Sequence, residues 1–395
     1  MATATSSSKG FPSVVGALAP LLLIAGLVAV FLVFNPIAGL RGVPPVEELA
    51  VERTVLEPGV IEMSVRNDGP DPVTIAQVLV NEAYWNFTST DRTLGRLEAT
   101  TIRLEYPWDE GLPLGLSLVT ETGVRVEHEI EAAAETPRLD GRTLAVYALL
   151  GLYIGVIPVA IGLLWFPALR SASKRWLTFF LAFTIGLLAF LLVDTIAEGL
   201  EIAGETAAVL DGVALFAIGA IGAVMSLSFL NGRLDRRRAS TGLGRHSGLE
   251  LAYLIAAGIG LHNLGEGLAV GSALAAGEVA LGTFLVLGFA IHNTTEGLAI
   301  VAPLGAAGDR PALMHFVLLG VLAGAPTILG AWFGGFAFSP AWASVAFGIA
   351  AGAIAQVIWA IGRTMTKDGA LSSGPGAAGL LLGLLFMYAT GLFTA

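Results

Sequence analysis

Hydrophobic and polar positions divide this chain into three parts. Residues 14–35 form an apolar run without a charged side chain. Residues 41–140 alternate short Val-, Thr- and Ile-rich runs with turn residues, and residues 143–394 hold eight long apolar segments. A helix needs about 20 apolar residues to cross a bilayer, whereas short alternating runs are typical of strands. The pattern predicts an N-terminal transmembrane helix, a small all-β domain and an eight-helix membrane core.

Each of the eight apolar segments is close to the length of one membrane crossing. They cover residues 143–167, 176–200, 207–230, 249–273, 279–303, 311–336, 340–363 and 375–394. The composition agrees, since 55% of the residues are hydrophobic, 13% are charged and the mean hydropathy is +0.78. These values are typical of a polytopic α-helical membrane protein and not of a soluble one. The chain has no cysteine, which excludes disulfides and thiolate metal sites.

The N-terminal region predicts an anchor. Residues 1–13 are mostly small and polar, which predicts a disordered start, and the apolar run at 14–35 follows. A secretory signal has an apolar core of roughly 7–15 residues before its cleavage site. This run is longer and is followed by only a weak cleavage site, so an uncleaved anchor is favoured over a signal peptide.

The predicted β-domain is acidic, with 19 acidic against 8 basic residues in 41–140, and is expected to face water. Its strand spacing favours a β-sandwich of immunoglobulin-like type, with one hairpin formed by residues 114–119 and 124–130. We expect its aromatic residues to supply the core. They are Tyr84, Trp85, Phe87, Tyr106 and Trp108.

Basic residues in the loops predict the orientation, because Lys and Arg accumulate in cytoplasmic loops. With a cytoplasmic N-terminus and nine helices, the bases at 170–175, 233–245, 310 and 363–367 fall inside, and of the core's loop bases only Arg142 falls outside. The β-domain and the C-terminus are then expected outside, in a protein of the cell membrane.

Two segments of the core carry the candidate chemistry. They read His262-Asn263-Leu264-Gly265-Glu266-Gly267 and His292-Asn293-Thr294-Thr295-Glu296-Gly297. A helix turns once in 3.6 residues, so each His shares a face with the Glu four positions later. Two imidazoles and two carboxylates can therefore converge between two packed helices. Such charge inside a bilayer is costly and usually faces a partner, a water path or an ion.

A further pair of acids lies in the second apolar segment. Asp194 and Glu198 are also four residues apart and are candidates for lining the path to the site, although a solvated helix end would also explain them. Glu201 and Glu205 lie nearer the outer surface and are expected to be solvated. Asp211 precedes the next helix, where a carboxylate complements the N-terminal dipole.

The remaining histidines are expected to be structural or solvated. His246 lies in an Arg-rich loop, and His315 stands alone near the start of a helix. His128 lies between Glu127 and Glu129, but neighbouring residues of a strand point to opposite faces, so no metal cluster is expected there.

At the paired segments the chain resembles the ZIP family of divalent-metal transporters, over residues 143–394 but not over the anchor or the β-domain. The resemblance implies an inverted-repeat core whose fourth and fifth helices hold an intramembrane metal site. It assigns to that site His262, Asn263, Glu266, His292, Asn293 and Glu296, with Asp194 and Glu198 where family members often carry His and Glu.

Departures from the family pattern bear on the site. Family members usually have Pro before each Glu, where this chain has Gly265, Thr295 and Ala197. Gly and Thr can still loosen a helix, so a local kink can form without Pro. Many members also carry an acid before a Pro in the sixth core helix. Ala325 stands there in this chain, which predicts a missing or weaker second metal position.

The resemblance and the ligand chemistry predict transport of divalent transition-metal ions across the membrane. His and carboxylate ligands suit zinc, iron, manganese and cobalt, with zinc expected first. The metal is cargo and not a catalytic cofactor. The expected partners are metal ions and the lipid bilayer, without nucleic acid, while a homodimer and a partner for the β-domain stay open.

Other functional classes compete with transport. One is a non-transporting metal sensor or scaffold in which the β-domain is the working part. An enzyme is not expected, because a zinc protease would carry His-Glu-x-x-His and a di-iron bundle Glu-x-x-His motifs with further Glu ligands. The plainest alternative is that both motifs are packed polar pairs, but two such motifs in adjacent membrane segments are a far more specific signal than one.

Overall fold

The computed structural model describes two compact units that divide between Val46 and Glu47. Described are residues 14–34, 46–130, 132–241, 248–275, 279–367 and 369–392, so the predicted disordered start at 1–13 and His246 lie outside them. In the first unit, helix α1 spans Val14–Phe34 and carries no charged side chain. Its large apolar residues are exposed, including Leu23 at 75% and Phe34 at 76%.

The second unit begins with nine strands in two antiparallel sheets. The strands are β1 Leu49–Glu57, β2 Val60–Asn67, β3 Val73–Val80, β4 Ala83–Trp85, β5 Phe87–Ser89, β6 Thr93–Leu94, β7 Ala99–Glu105, β8 Leu114–Thr120 and β9 Arg125–Ile130. One sheet has the order β1-β2-β7-β5 and the other the order β4-β3-β8-β9, with β6 paired to β3. The predicted hairpin is present as β8–β9, where Leu114 pairs with Ile130.

Aliphatic side chains form the core of the β-domain. Burial alternates along β2, where Ile61, Met63 and Val65 are fully buried. This period of two is what a strand with one face inward produces. Residues from both sheets join this one apolar cluster.

The prediction of an aromatic core is wrong for Tyr84 and Trp85. They are 69% and 37% exposed, because both lie in β4, a three-residue strand at the sheet edge whose residues are all exposed. Phe87, Tyr106 and Trp108 are partly buried and pack against the aliphatic cluster.

Eleven helices follow the strands in the described part of the chain. They are α2 Gly141–Gly151, α3 Ile157–Leu163, α4 Phe166–Ser171, α5 Lys174–Glu205, α6 Gly212–Thr241, α7 Gly248–Ala275, α8 Val279–Ala307, α9 Leu313–Gly324, α10 Pro326–Ala337, α11 Pro340–Lys367 and α12 Gly374–Gly391. Among the described residues they provide eight segments long and apolar enough to cross a membrane, with α2–α4 forming one segment and α9–α10 another. Each predicted apolar segment overlaps one of the eight.

The helices pack in two groups. The first group contains α2–α4, α7, α8 and α9–α10, and the second contains α5, α6, α11 and α12. The groups meet where α11 packs on α7 and α5 packs on α8. The motif helices α7 and α8 therefore belong to one group and form its contact with the other.

Two of the candidate membrane-spanning segments, both in the first group, are interrupted. Leu152–Val156 form a π-helical turn between α2 and α3, and Pro158 follows it. The second interruption is at Ala325, between α9 and α10, just before Pro326. Proline lacks an N–H group and clashes with the carbonyl four residues earlier, which accounts for breaks at these places. The first interruption packs against α8 and the second against α7.

The β-domain is hydrogen-bonded to both helix groups. The carboxylate of Asp68 accepts hydrogen bonds from the backbone N–H groups of Ala208 and Val209, in the turn between α5 and α6. Arg53 Nη1 donates to the carbonyl of Phe336 at the end of α10, at 2.7 Å. The domain therefore contacts the second group at one point and the first group at another.

Candidate metal centre

Helices α7 and α8 bring three ligand-type side chains together. The imidazoles of His262 and His292 and the carboxylate of Glu266 offer ligand atoms that all lie within 4.8 Å of one another. All three side chains are buried. Within the described ranges no other group of three such side chains meets in this way.

Glu266 lies at the centre of this group. Its Oε1 faces Nε2 of His262 at 3.2 Å and is in contact with Nε2 of His292. Its Oε2 accepts a hydrogen bond from Asn293 Nδ2 at 2.7 Å. A carboxylate oxygen only accepts, so each facing imidazole nitrogen must either carry a proton or share a cation with it.

The two motif asparagines bind the interrupted helices. Asn293 Nδ2 donates to the carbonyl of Ile154 at 2.8 Å, inside the π-helical turn. The usual α-helical donor to that carbonyl would be the N–H of residue 158, and Pro158 has none. Asn263 Nδ2 donates to the carbonyl of Ala323 at 3.0 Å, next to the break at Ala325. Each asparagine thus satisfies a carbonyl at a helix interruption.

The glycine after each motif glutamate lets the same interrupted helix approach closely. A Cβ on Gly267 would lie 2.1 Å from the carbonyl oxygen of Thr327 in α10. A Cβ on Gly297 would lie 2.3 Å from the carbonyl oxygen of Val159 in α3. Real Cβ atoms do not come so near, so any larger residue would separate the helices. The motif therefore combines two roles: His and Glu form the site, while Asn and Gly attach each motif helix to an interrupted neighbour.

Several buried acceptors around the site have no donor. Asn263 Oδ1, Asn293 Oδ1 and both carboxylate oxygens of Glu296 lack a hydrogen-bond partner in the part of the chain that the structure describes. The three residues are at most 2% exposed. Buried polar atoms are nearly always satisfied, so a cluster of unpaired acceptors calls for a proton or a cation.

The donor set fits a divalent transition metal. Imidazole nitrogen and carboxylate oxygen bind zinc at about 2.0–2.2 Å, which places tetrahedral ligand atoms about 3.3 Å apart. The three ligand atoms already lie within 4.8 Å, so small side-chain rotations would close the site. Oxygen atoms of Glu296, Asn263 or Asn293 are the available further ligands on the same helices.

The acids of α5 do not join the group of three. Asp194 is exposed and Glu198 is half-buried. Glu198 lies near enough to His262 and Glu266 for their charges to interact. Ala325, which stands where members of the ZIP family often carry an acid, lies at the break between α9 and α10.

The motif helices are not interrupted at the residues before their glutamates. Helices α7 and α8 run without a break through both motifs. Thr295 Oγ1 donates to the carbonyl of His292 at 2.7 Å within an intact helix. The interruptions lie instead in α2–α3 and α9–α10, whose prolines supply the physical cause.

Sequence reasoning missed one residue beside the site. Thr195 of α5 is fully buried, and its Oγ1 lies 3.1 Å from Nδ1 of His262. The motif spacing gives no signal for it. Its position directly after Asp194, on a helix already considered, was the one available clue.

Three residues expected to be structural have structural partners. Asp211 Oδ1 accepts a hydrogen bond from the backbone N–H of Ala214 at the start of α6, at 3.0 Å. His315 Nδ1 lies 2.9 Å from the hydroxyl of Tyr253. His128 Nε2 lies 3.1 Å from Oγ1 of Thr54, and burial lowers the pKa of this imidazole.

Comparisons with known proteins add little to this picture. No family model and no curated protein sequence matches the chain. Among solved structures, the archaellum periplasmic stator protein FlaG from Sulfolobus acidocaldarius is similar to part of it. The two share 13% identity over 21% of this chain and 99% of that chain, with a TM-score of 0.20. A likeness at that score supports no argument about this chain.

Proposed function

We propose that the helical core transports divalent transition-metal ions through a site formed by His262, Glu266, His292 and Glu296. The proposal is supported most by the two buried carboxylates, of which Glu296 has no hydrogen-bond partner in the described residues. Burying a charge without compensation costs several kcal/mol. A divalent cation between two carboxylates and two neutral imidazoles would remove that cost.

The chemistry of the site limits the cargo. Two nitrogen and several oxygen donors suit zinc, iron, manganese and cobalt and discriminate weakly among them. We place zinc first because its usual ligands are imidazole and carboxylate when cysteine is absent. With Ala325 at the interruption of the sixth core segment, the proposed site holds a single metal position.

The surroundings of the site favour transport of the metal ion over its permanent binding. A transported ion must bind well enough to enter and weakly enough to leave. Binding sites of many secondary transporters lie beside discontinuous helices. Here both motif helices are attached to interrupted segments through Asn263 and Asn293. These breaks offer places where the helices around the metal can change shape.

Reconstituted protein tests the proposal directly. Zinc, iron, manganese and cobalt are offered one at a time to liposomes with an internal metal indicator and pH reporter. We expect uptake by the wild type, and loss of both uptake and calorimetric binding in the double variant Glu266→Gln/Glu296→Gln. Binding should also weaken as the pH falls, because imidazole must be neutral to bind metal. Wild-type affinity and flux in a folded double variant would refute the site.

Orientation is part of the same proposal. We infer a cytoplasmic N-terminus, with the β-domain and the C-terminus outside the cell membrane, from the loop charges described above. Single cysteines at Ser89 and Ala395 should label from outside intact cells. A cysteine at Ser240 should label only after permeabilisation, and labelling there from outside would reverse the assignment.

A second candidate function is metal sensing without transport. The observation that favours it is the position of the β-domain, which is hydrogen-bonded to both helix groups through Asp68 and Arg53. Such a domain could report a change in helix packing on metal binding. The two functions separate in one experiment, because a sensor would bind zinc in calorimetry and carry none into liposomes.

A further inference from the structure

Thr195 belongs to the second helix group and contacts the metal site. It lies on α5, is 0% exposed, and its Oγ1 lies 3.1 Å from Nδ1 of His262. The same oxygen lies 2.7 Å from the carbonyl of Leu191, one turn earlier on α5. One hydroxyl therefore faces both a carbonyl and an imidazole nitrogen.

Counting protons fixes the direction of these two bonds. A threonine hydroxyl has one proton, and a carbonyl oxygen can only accept. At 2.7 Å the hydroxyl must donate to the Leu191 carbonyl, since two bare oxygens at that distance would repel. The proton between Thr195 and His262 must then come from the imidazole, so Nδ1 of His262 carries a hydrogen and donates it.

This direction decides which nitrogen of His262 is available to metal. With the hydrogen on Nδ1, a neutral imidazole has its lone pair on Nε2. Nε2 is the atom that faces Glu266 at 3.2 Å. A metal-binding histidine usually donates its other ring N–H to a partner that fixes both tautomer and ring orientation. Thr195 is in place to be that partner.

We infer that Thr195 is a positioning residue for the proposed metal site, holding His262 in the Nδ1–H tautomer with Nε2 directed at the cation. The inference rests on the proposed function, because it concerns how one ligand is presented. The bond also joins α5 of the second helix group to α7 of the first. The geometry of the ligand thus depends on contact between the two groups.

Helix α5 contains a second threonine that serves as a control, because it tests whether the Thr195 hydroxyl matters only for the structure of the helix. Thr184 is also fully buried, and its hydroxyl donates to the carbonyl of Phe180 at 3.0 Å. In the described residues it has no hydrogen bond to a histidine. Replacing it removes the same kind of hydroxyl from the same helix without touching the site.

The first measurement uses wild-type protein without metal. Nitrogen NMR of ¹⁵N-histidine-labelled protein in nanodiscs reports which ring nitrogen carries hydrogen, and a His262→Gln variant identifies the signal among the five histidines. We expect a protonated, hydrogen-bonded Nδ1, and a proton on Nε2 as well, because without a cation Nε2 faces the Glu266 carboxylate. A bare Nδ1 in the wild type would overturn the inference whatever the variants do.

The second measurement compares variants by zinc calorimetry. Thr195→Val should weaken zinc binding about 10- to 100-fold, the usual cost of losing such a partner, and should shift the His262 nitrogen signals. Thr195→Ser keeps a hydroxyl and should restore both readouts, and Thr184→Val should match the wild type. Wild-type affinity and spectrum in Thr195→Val would refute the positioning role alone. Absence of zinc binding in the wild type would instead refute the proposed function.

Discussion

The two motif helices carry the same residues at the same spacing but hold their glutamates differently. Glu266 of α7 contacts both imidazoles and accepts a hydrogen bond from Asn293. Glu296 of α8 is equally buried at 2% exposure, yet neither of its oxygens has a hydrogen-bond partner among the described residues. A repeat in the sequence has produced one anchored carboxylate and one open carboxylate.

The two glutamates differ because the hydrogen-bond partners on both helices are directed at Glu266. Helix α8 contributes His292 and Asn293 to Glu266, while His262 turns to the glutamate of its own helix, α7. Glu296 keeps acceptor lone pairs that a proton or a cation would satisfy, and the amide of Asn263 is a polar group near it. We therefore expect Glu266 to shape the site before metal arrives and Glu296 to join when it binds.

The largest effect should come from Glu266→Gln. The change leaves two buried imidazoles without their shared carboxylate. Removing one partner of a buried pair costs about 3–5 kcal/mol of stability. The same carboxylate is a proposed metal ligand, and we expect its charge to contribute at least about a hundredfold to affinity, or about 3 kcal/mol. We expect zinc binding by calorimetry to fall by that amount and the melting temperature without metal to fall as well.

Glu266→Asp is the matched control for the charge. It keeps the carboxylate but shortens its reach, so part of the affinity should return while geometry stays imperfect. Equal losses of affinity and of metal-free stability in Glu266→Gln and Glu296→Gln would contradict the distinction between anchored and open carboxylates.

Glu296→Gln should separate binding from stability. It removes a carboxylate that has no partner within hydrogen-bond distance in the described structure and only the amide of Asn263 as a nearby donor, so the melting temperature without metal should stay close to that of the wild type. Zinc binding should still weaken, by more than tenfold, because one of two compensating charges is lost. Thermal melting with and without zinc measures both effects. A lower melting temperature without metal would show that Glu296 has a stabilising partner.

The helical period of 3.6 residues was enough to predict the helices and which motif residues share a helix face. Eight apolar segments and the spacing of four between His262 and Glu266 follow from helix geometry alone. Convergence of His262, Glu266 and His292 was expected from the same period. The period of one helix carries no information about hydrogen-bond partners on a neighbouring helix. The asymmetry between Glu266 and Glu296 was therefore not predicted.

Other features failed for identifiable physical reasons. Thr195 was missed because its partner is 67 positions away on another helix. A kink in the motif helices was left possible, whereas the interruptions lie in the neighbouring segments at Pro158 and Pro326, and Pro158 leaves the Ile154 carbonyl for Asn293. Tyr84 was placed in the β-core by its aromatic character, although it lies in a short edge strand.

A smaller effect should follow from restoring a backbone donor at the first interruption. Pro158→Ala supplies an N–H that can donate to the Ile154 carbonyl and compete with Asn293. Asn293 would then hold Glu266 less firmly, and we expect zinc affinity to fall by a few-fold.

Pro326→Ala is the comparison for the other motif helix. The carbonyl that binds Asn263 is that of Ala323, whose α-helical donor would be Thr327 and not residue 326. This change should therefore affect zinc binding less than Pro158→Ala does. The reverse order in calorimetric titrations would mean that the second interruption, and not the first, supports the anchored carboxylate.

The smallest effect concerns His128, a histidine outside the motifs. Its pH response must be measured on its own before the Glu266 and Glu296 variants are compared at different pH values. His128 of β9 faces Thr54 of β1, and burial lowers the pKa of its imidazole from 6.5. A histidine with a lowered pKa in the folded state contributes stability above about pH 6.5, and this stability is lost as the pH falls through the folded pKa. Hydrogen exchange of β1 and β9 in the full chain, corrected for intrinsic rates, should therefore lose protection between pH 7 and pH 5. His128→Gln should flatten that dependence and leave zinc affinity at pH 7 unchanged.

If the pH dependence of protection is unaltered in His128→Gln, other groups cause it. The glutamate variants would then need comparison at a single pH.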